Sequence, residues 1–362
     1  MARPRFKHVV AFIVAAAGVA AFAPVAFGNS YVPPNGNSFH GVSETGNVDD
    51  YRSFVDTTRT HSAVSQSFFH WGVPLGTGAL QRYRQTRTRG VLSLSTAPGG
   101  QPEVISPLGI AKGRDDDYML SLNNSISESK QILYIRLFPE MNGHWNPYSA
   151  FNADGSSRGE SHSTANFKRA WKRFSIIVKG GARNKINDRL RKLKMPRLLR
   201  ARSDTDRIYK RFGVPKILPK PKVALQWVPQ TSGSPNVSGN QPANYFPGNK
   251  WVDWVGADAY AKFSNSTLWN NLASFYRKYD SHPFVIGEYG PWDSDPSGAF
   301  TNQMFDWAQS HGRTRMLIYF RSVNPTNIFN IQFYPAALDV LRSKIAGSEF
   351  MPIAPEYRKR GN

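Results

Sequence analysis

The 362-residue chain has no cysteine. That removes disulfides, thiolate metal sites, iron–sulfur clusters and cysteine nucleophiles together, so stability has to come from burial alone. Acids are scarce, with 25 Asp and Glu against 46 Lys and Arg. After the first thirty residues no apolar run is long enough to cross a bilayer. There is no H-E-x-x-H, no phosphate-binding loop, and no G-x-G-x-x-G turn after the first strand-like segment. Zinc-hydrolase, P-loop and dinucleotide chemistry therefore have no support, and neither metal nor cofactor is expected. The composition, 40% hydrophobic and 13% aromatic, is that of a globular chain.

The N-terminus, "MARPRFKHVVAFIVAAAGVAAFAPVAFGNS", has a basic start, an apolar middle and small residues at Ala26-Phe27-Gly28. This is the layout of a secretory signal over residues 1–28, with an uncleaved membrane anchor as the alternative. A secreted or envelope-associated protein is expected. Residues 29–38 read as a polar linker and 348–362 as a C-terminal tail.

The net charge of +21 is unevenly placed. Between Phe167 and Lys222 stand 20 Lys and Arg against three Asp, which leaves the rest of the chain nearly balanced. The densest part, about 187–219, is too long for an ordinary connection and reads as an insertion. Leu190, Leu193, Leu198 and Leu199 suggest one or two short helices there, divided by Pro196. Such a segment is either a solvated flap or a contact for something anionic: an acidic cell-envelope polymer, lipid headgroups or an acidic glycan. Charge alone would admit nucleic acid, but no nucleic-acid-binding motif accompanies it and none is expected as a partner.

From Phe39 to about 347, apolar runs alternate with amphipathic stretches of helical length. The runs are 39–43, 63–69, 91–96, 132–138, 223–228, 254–260, 283–289 and 316–322. Strands alternating with helices imply parallel pairing through crossovers. Eight units in about 300 residues predict one α/β domain, a (β/α)8 TIM barrel with the basic helical insertion between its fourth helix and fifth strand. A doubly wound open sheet is the competing arrangement.

Two runs end in acids. "ILYIRLFPEMNGHWNPY" carries the fourth run into Glu140, and "HPFVIGEYGPW" carries the seventh into Glu288. Strand C-termini converge on one face of a barrel, so both carboxyls would reach one mouth. Two carboxylates in one cleft are what glycoside hydrolysis requires. The alternative is that each acid forms a structural ion pair with a neighbouring arginine. Trp145, Trp227 and Trp71 fall at strand ends, either as sugar platforms or as core. His70 and His144 would contact substrate or merely cap the rim. Tyr260, a phenol at the end of the sixth run, needs a partner, and the Glu288 carboxylate would supply one.

"IRLFPEMNGHWNPY", "FPGNKWVDWVGADAY" and "PFVIGEYG" together resemble glycoside hydrolase family 26, the β-mannanase-like retaining enzymes. The likeness runs from about Phe39 to Ser343. It implies Glu140 as general acid/base, Glu288 as nucleophile, Trp145 as a platform near the cleavage point and Tyr260 as the residue orienting the nucleophile. Arg136 and Asn142 match an arginine and an amide of the family's pattern. Pro139 stands where the family usually has histidine, and Phe320 stands near its eighth-strand tryptophan. The resemblance implies an endo-acting enzyme on a β-linked polysaccharide, β-mannan first and β-glucan or β-xylan as alternatives; with the signal-like N-terminus an exported enzyme is expected, and a monomer. A carbohydrate-binding barrel without turnover remains the reading from another class.

Overall fold

The computed structural model describes residues 30–43, 46–198, 214–321 and 328–358. Eight strands form its centre: β1 (Ser38–Val42), β2 (Val64–His70), β3 (Arg89–Ser95), β4 (Leu133–Leu137), β5 (Val223–Trp227), β6 (Trp254–Tyr260), β7 (Phe284–Gly290) and β8 (Thr314–Tyr319). Each pairs in parallel with the next, and β8 returns to β1 through Phe39–Met316 and Val42–Tyr319. The sheet is a closed (β/α)8 barrel.

Alternation along the strands makes two cores. Inward residues such as Phe39, Val64, Val91, Tyr134, Trp254, Val285 and Met316 fill the lower barrel. Their outward neighbours, for example Leu133, Ile135 and Leu137, pack against the helical ring. Burial on both faces is why these runs are nearly continuous in apolar residues.

The ring comprises α1 (Val48–Thr58), α2 (Thr77–Gln85), α3 (Asp116–Ser129), α4 (Thr164–Val178), the short α5 (Pro242–Tyr245), α6 (Ser266–Lys278), α7 (Ala299–Ser310) and α8 (Pro335–Ile345). Several begin at side-chain caps placed just after a strand's loop. Asn47 accepts from Asp50 N, Ser163 from Asn166 N, and Asn265 from Leu268 N. Each cap satisfies a first-turn amide that has no partner within the helix.

Residues 30–37 do not behave as a free linker. They lie across the floor of the barrel, at the N-terminal ends of the strands. Trp254 Nε1 donates to Ser30 O at 2.6 Å, and both Tyr134 Oη and Arg89 donate to Tyr31 O at 2.6 Å. The tail closes the same side: Phe350–Met351 pairs with β1, and Arg89 binds Glu356 at 2.8 Å. Residues 1–29, where the signal or anchor is expected, lie outside the described residues.

The insertion begins directly after α4. Gly181–Ala182 and Ile217–Leu218 pair antiparallel, and a helix at Arg183–Lys192 turns back along α4. Arg169 and Arg173 of α4 donate to the carbonyls of Lys194 and Pro196 at 3.1 and 2.8 Å. Leu190 and Leu198 are buried and Leu193 is partly buried against the core. Residues 199–213, including Leu199, lie outside the described residues.

Candidate active site

The upper barrel interior turns polar. Above the apolar layer, inward positions carry Gln66 from β2, Arg136 from β4, Gln226 from β5, Asp258 from β6 and Glu288 from β7, all buried. Arg136 is fully enclosed and is the hub. It donates to Glu288 Oε1 at 2.5 Å and, through its other terminal nitrogen, to Asp258 Oδ2. One buried cation between two buried acids is tolerated because each loses its water to a charged partner.

Glu288 reaches the interior by an irregularity in β7. Ala257 of β6 pairs with Ile286 and Ala259 with Tyr289, so two residues of β7 face one of β6. A bulge of this kind re-aims a side chain. Gly287 and Glu288 both turn inward. A Cβ at Gly287 would stand 2.8 Å from Asp258 Oδ1 and 2.9 Å from Val228 Cγ1, so only glycine fits beside the charged cluster. Glu288 accepts from the Tyr260 hydroxyl at 2.6 Å and from Gln66 Nε2 at 3.4 Å, in addition to Arg136. Three converging donors need oxygen lone pairs, which an ionised acid supplies.

Glu140 lies beyond the end of β4 with a left-handed backbone, φ 49°, two residues after Phe138 at φ 50°. Non-glycine residues held there cost about 1–3 kcal/mol each and persist only when their surroundings fix them. Here Glu140 N donates to Val228 O at 2.9 Å, and the Tyr148 hydroxyl donates to Pro139 O at 2.6 Å. The Glu140 carboxyl accepts from Gln230 Nε2 at 2.5 Å and from Trp145 Nε1 at 3.1 Å. Burial, and then the negative charge of Glu288, hold it above the usual glutamate range against the pull of Arg136. Burial likewise raises Asp258 well above its ordinary value, although Arg136 opposes this and the two glutamates reinforce it. Burial is thus the first cause of the rise at both Glu140 and Asp258, and Arg136 opposes it at each.

The cleft over this cluster encloses about 760 Å³ and joins Glu140, Asp258 and Glu288 to Trp145, Gln230, Tyr260, Trp292 and Phe320. Trp145 is half exposed, with its indole over Gly143, where a Cβ would lie 2.5 Å from the ring. Trp292 stacks edge-on against Tyr260 at 5.0 Å, and Phe329 closes on Trp292 at 5.0 Å. Uncharged hydroxyls and amides complete the wall, among them Thr231, Ser232, Asn265 and Asn271.

Several sequence expectations land elsewhere. Trp227 and Trp71 are fully buried on the outer face of the barrel. Trp227 packs on Phe275 and Tyr279, while Trp71 packs on Tyr118 and donates to Asp115 at 2.6 Å. The reason is parity: Gln226 and Gln66 face inward, so 227 and 71 face outward. Neither can be a sugar platform. Asn142 is also buried; its amide ties Gln230 N and Gln230 O at 2.9 and 3.0 Å, so it braces the loop that carries Gln230 and does not line the cleft. His144 stands edge-on to Trp145 at 5.2 Å, and His70 Nδ1 lies 3.2 Å from Trp71 O; neither lines the cleft. Asp258, Gln230, Trp292 and Phe329 also line this cleft and Gln66 bonds Glu288 beneath it, and the sequence reading named none of them. The signal for Asp258 was present, two residues before the inward Tyr260 on one strand. Among the described residues, no group of three or more His, Asp or Glu side chains is placed to hold a metal ion.

No family model and no curated protein matches the chain. Solved structures do. A Bacillus subtilis mannanase, BCman, superposes with a TM-score of 0.53 over 92% of this chain and 92% of its own, at 14% identity. The fold is that of the family 26 mannanases. The family 26 domain of a Prevotella bryantii endo-β-mannanase/endo-β-glucanase agrees, with a TM-score of 0.52, 10% identity, and coverage of 89% of this chain and 91% of its own. A Cellulomonas fimi endo-β-1,4-mannanase double mutant superposes at 0.52 with 13% identity, over 87% of this chain and 72% of its own.

Proposed function

We propose that the protein is a retaining glycoside hydrolase acting inside β-linked polysaccharide chains, with Glu140 as acid/base and Glu288 as nucleophile. The observation that carries this is the contrast between two glutamates in one cleft. One is desolvated and pushed toward its protonated form, while the other is held by Arg136, Tyr260 and Gln66. Double displacement needs that contrast. Glu140 gives its proton to the glycosidic oxygen as Glu288 attacks the anomeric carbon. The resulting ester neutralises Glu288 and relieves its pressure on Glu140, which then takes a proton from the incoming water.

Trp145 donates its indole N–H to Glu140 and presents its ring to the cleft, which orients the acid and stacks a sugar at the bond to be cut. The wall of Trp292, Phe320 and uncharged amides suits a neutral chain of pyranoses. β-Mannan is the first substrate of the proposal, as in the mannanases of like fold, followed by β-glucan and β-xylan. Export of the enzyme belongs to the same proposal and rests on the character of residues 1–28.

The test is proton NMR of the first products from each polysaccharide. Initial release of the anomer that the substrate carried supports double displacement; initial release of the opposite anomer would assign a single displacement and remove Glu288 as nucleophile. A carbohydrate-binding barrel without turnover would release nothing.

A further inference from the structure

The face opposite the catalytic mouth holds a second surface. Lys179, at the end of α4, pairs with Asp253 at 2.7 Å, and Ser30 Oγ donates to the carbonyl of the same Asp253 at 3.1 Å. The point where the chain enters the barrel therefore lies beside the root of the basic insertion. There the antiparallel pair of Gly181–Ala182 and Ile217–Leu218 projects, with Arg183 N donating to Lys216 O at 2.9 Å. Ile217 is 70% exposed, the most exposed large apolar side chain among the described residues. It is surrounded in sequence by exposed Lys216, Lys220 and Lys222, and Lys185 is exposed at the start of the insertion helix.

We propose that this floor surface docks on an anionic lipid bilayer, with Ile217 entering the interface, the lysines meeting headgroups and the catalytic mouth facing away. Three observations favour lipid over a soluble polyanion. An exposed apolar side chain stands next to Lys216 and within a few residues of Lys220 and Lys222, and a polymer in water would leave it unpaired. Ser30, the first described residue, lies on this same face, and the sequence before it has a basic start and an apolar run. The floor is also remote from the cleft, so docking would leave a polysaccharide free to enter. Lysines near an anionic bilayer each strengthen binding about fivefold, and an amphipathic contact adds burial to that attraction.

The test uses the full chain on vesicles of zwitterionic lipid and on vesicles enriched in phosphatidylglycerol. The readout is the ratio of the two partition coefficients, since an apolar N-terminal segment would enter both. Lys216→Glu, Lys220→Glu and Lys222→Glu together should lower that ratio about a hundredfold or more, with circular dichroism unchanged. Because the chain has no cysteine, Ile217→Cys accepts a single environment-sensitive dye, and Ala153→Cys on the mouth side serves as control. A blue shift at position 217 alone on anionic vesicles supports the proposal. An unchanged ratio, a dye at 217 that stays in water, or a shift at 153 would overturn it. Equal retention by soluble polyphosphate without a dye shift would assign the patch to a polymer and also overturn it.

Discussion

The Tyr260 hydroxyl lies 2.6 Å from Glu288 Oε2, on the side opposite the oxygen that Arg136 holds. The carboxylate is thereby fixed in both position and rotation. Tyr260→Phe removes one hydrogen bond to a charged group, worth about 1.5–3 kcal/mol. Turnover should fall roughly ten- to a hundredfold, with most of the loss in kcat, and stability should fall by no more than that one bond. Steady-state kinetics beside a melting curve check both parts.

The raised pKa of Glu140 sets the pH profile. In the proposed mechanism the acid works protonated, so kcat/KM should fall as pH rises through that raised value, and activity should extend above the ordinary glutamate range. Glu140→Ala should abolish the alkaline limb on aryl glycosides whose leaving groups need no proton. A pH series of kcat/KM for wild type and variant measures this.

Arg136 tests the cluster as structure. Arg136→Ala leaves Asp258 and Glu288 buried without their cation, a loss of about 3–5 kcal/mol. The urea midpoint should fall accordingly, and the decrease should be smaller at acidic pH, where Asp258, whose pKa burial raises, is protonated.

The tryptophans separate core from cleft. Trp227→Ala should cost about 3–5 kcal/mol of stability, because the ring is wholly buried against Phe275 and Tyr279. Trp145→Ala should leave the denaturant midpoint within roughly 0.5 kcal/mol and instead lower kcat/KM. Denaturation and kinetics on the same two proteins distinguish the roles.

Much of this was legible in the sequence, for a definite reason. Strands buried on both faces are written as apolar runs, so all eight were found within a few residues. Glu140 and Glu288 stood out because each interrupts such a run, and the structure places both in one cleft. What failed was the direction of single side chains. Trp71 and Trp227 end strands, as expected, but they point outward on parity, whereas Glu288 points inward only because β7 bulges opposite Asp258. Asn142 sits in the motif and serves the loop behind it. Trp292 and Phe329 enter the cleft from loops, where no period exists to read. The floor contacts of residues 30–37 were hidden because a polar, proline-containing segment reads as a linker until its carbonyls are seen to meet Trp254 and Tyr134.

Release of reducing ends from β-mannan, β-glucan and β-xylan by the wild type, Glu140→Ala and Glu288→Ala is the most direct test. At least one polysaccharide should be hydrolysed, and both variants should lose about 10³-fold or more of that rate. No release by the wild type from any of the three, or a variant as fast as the wild type, would contradict the account.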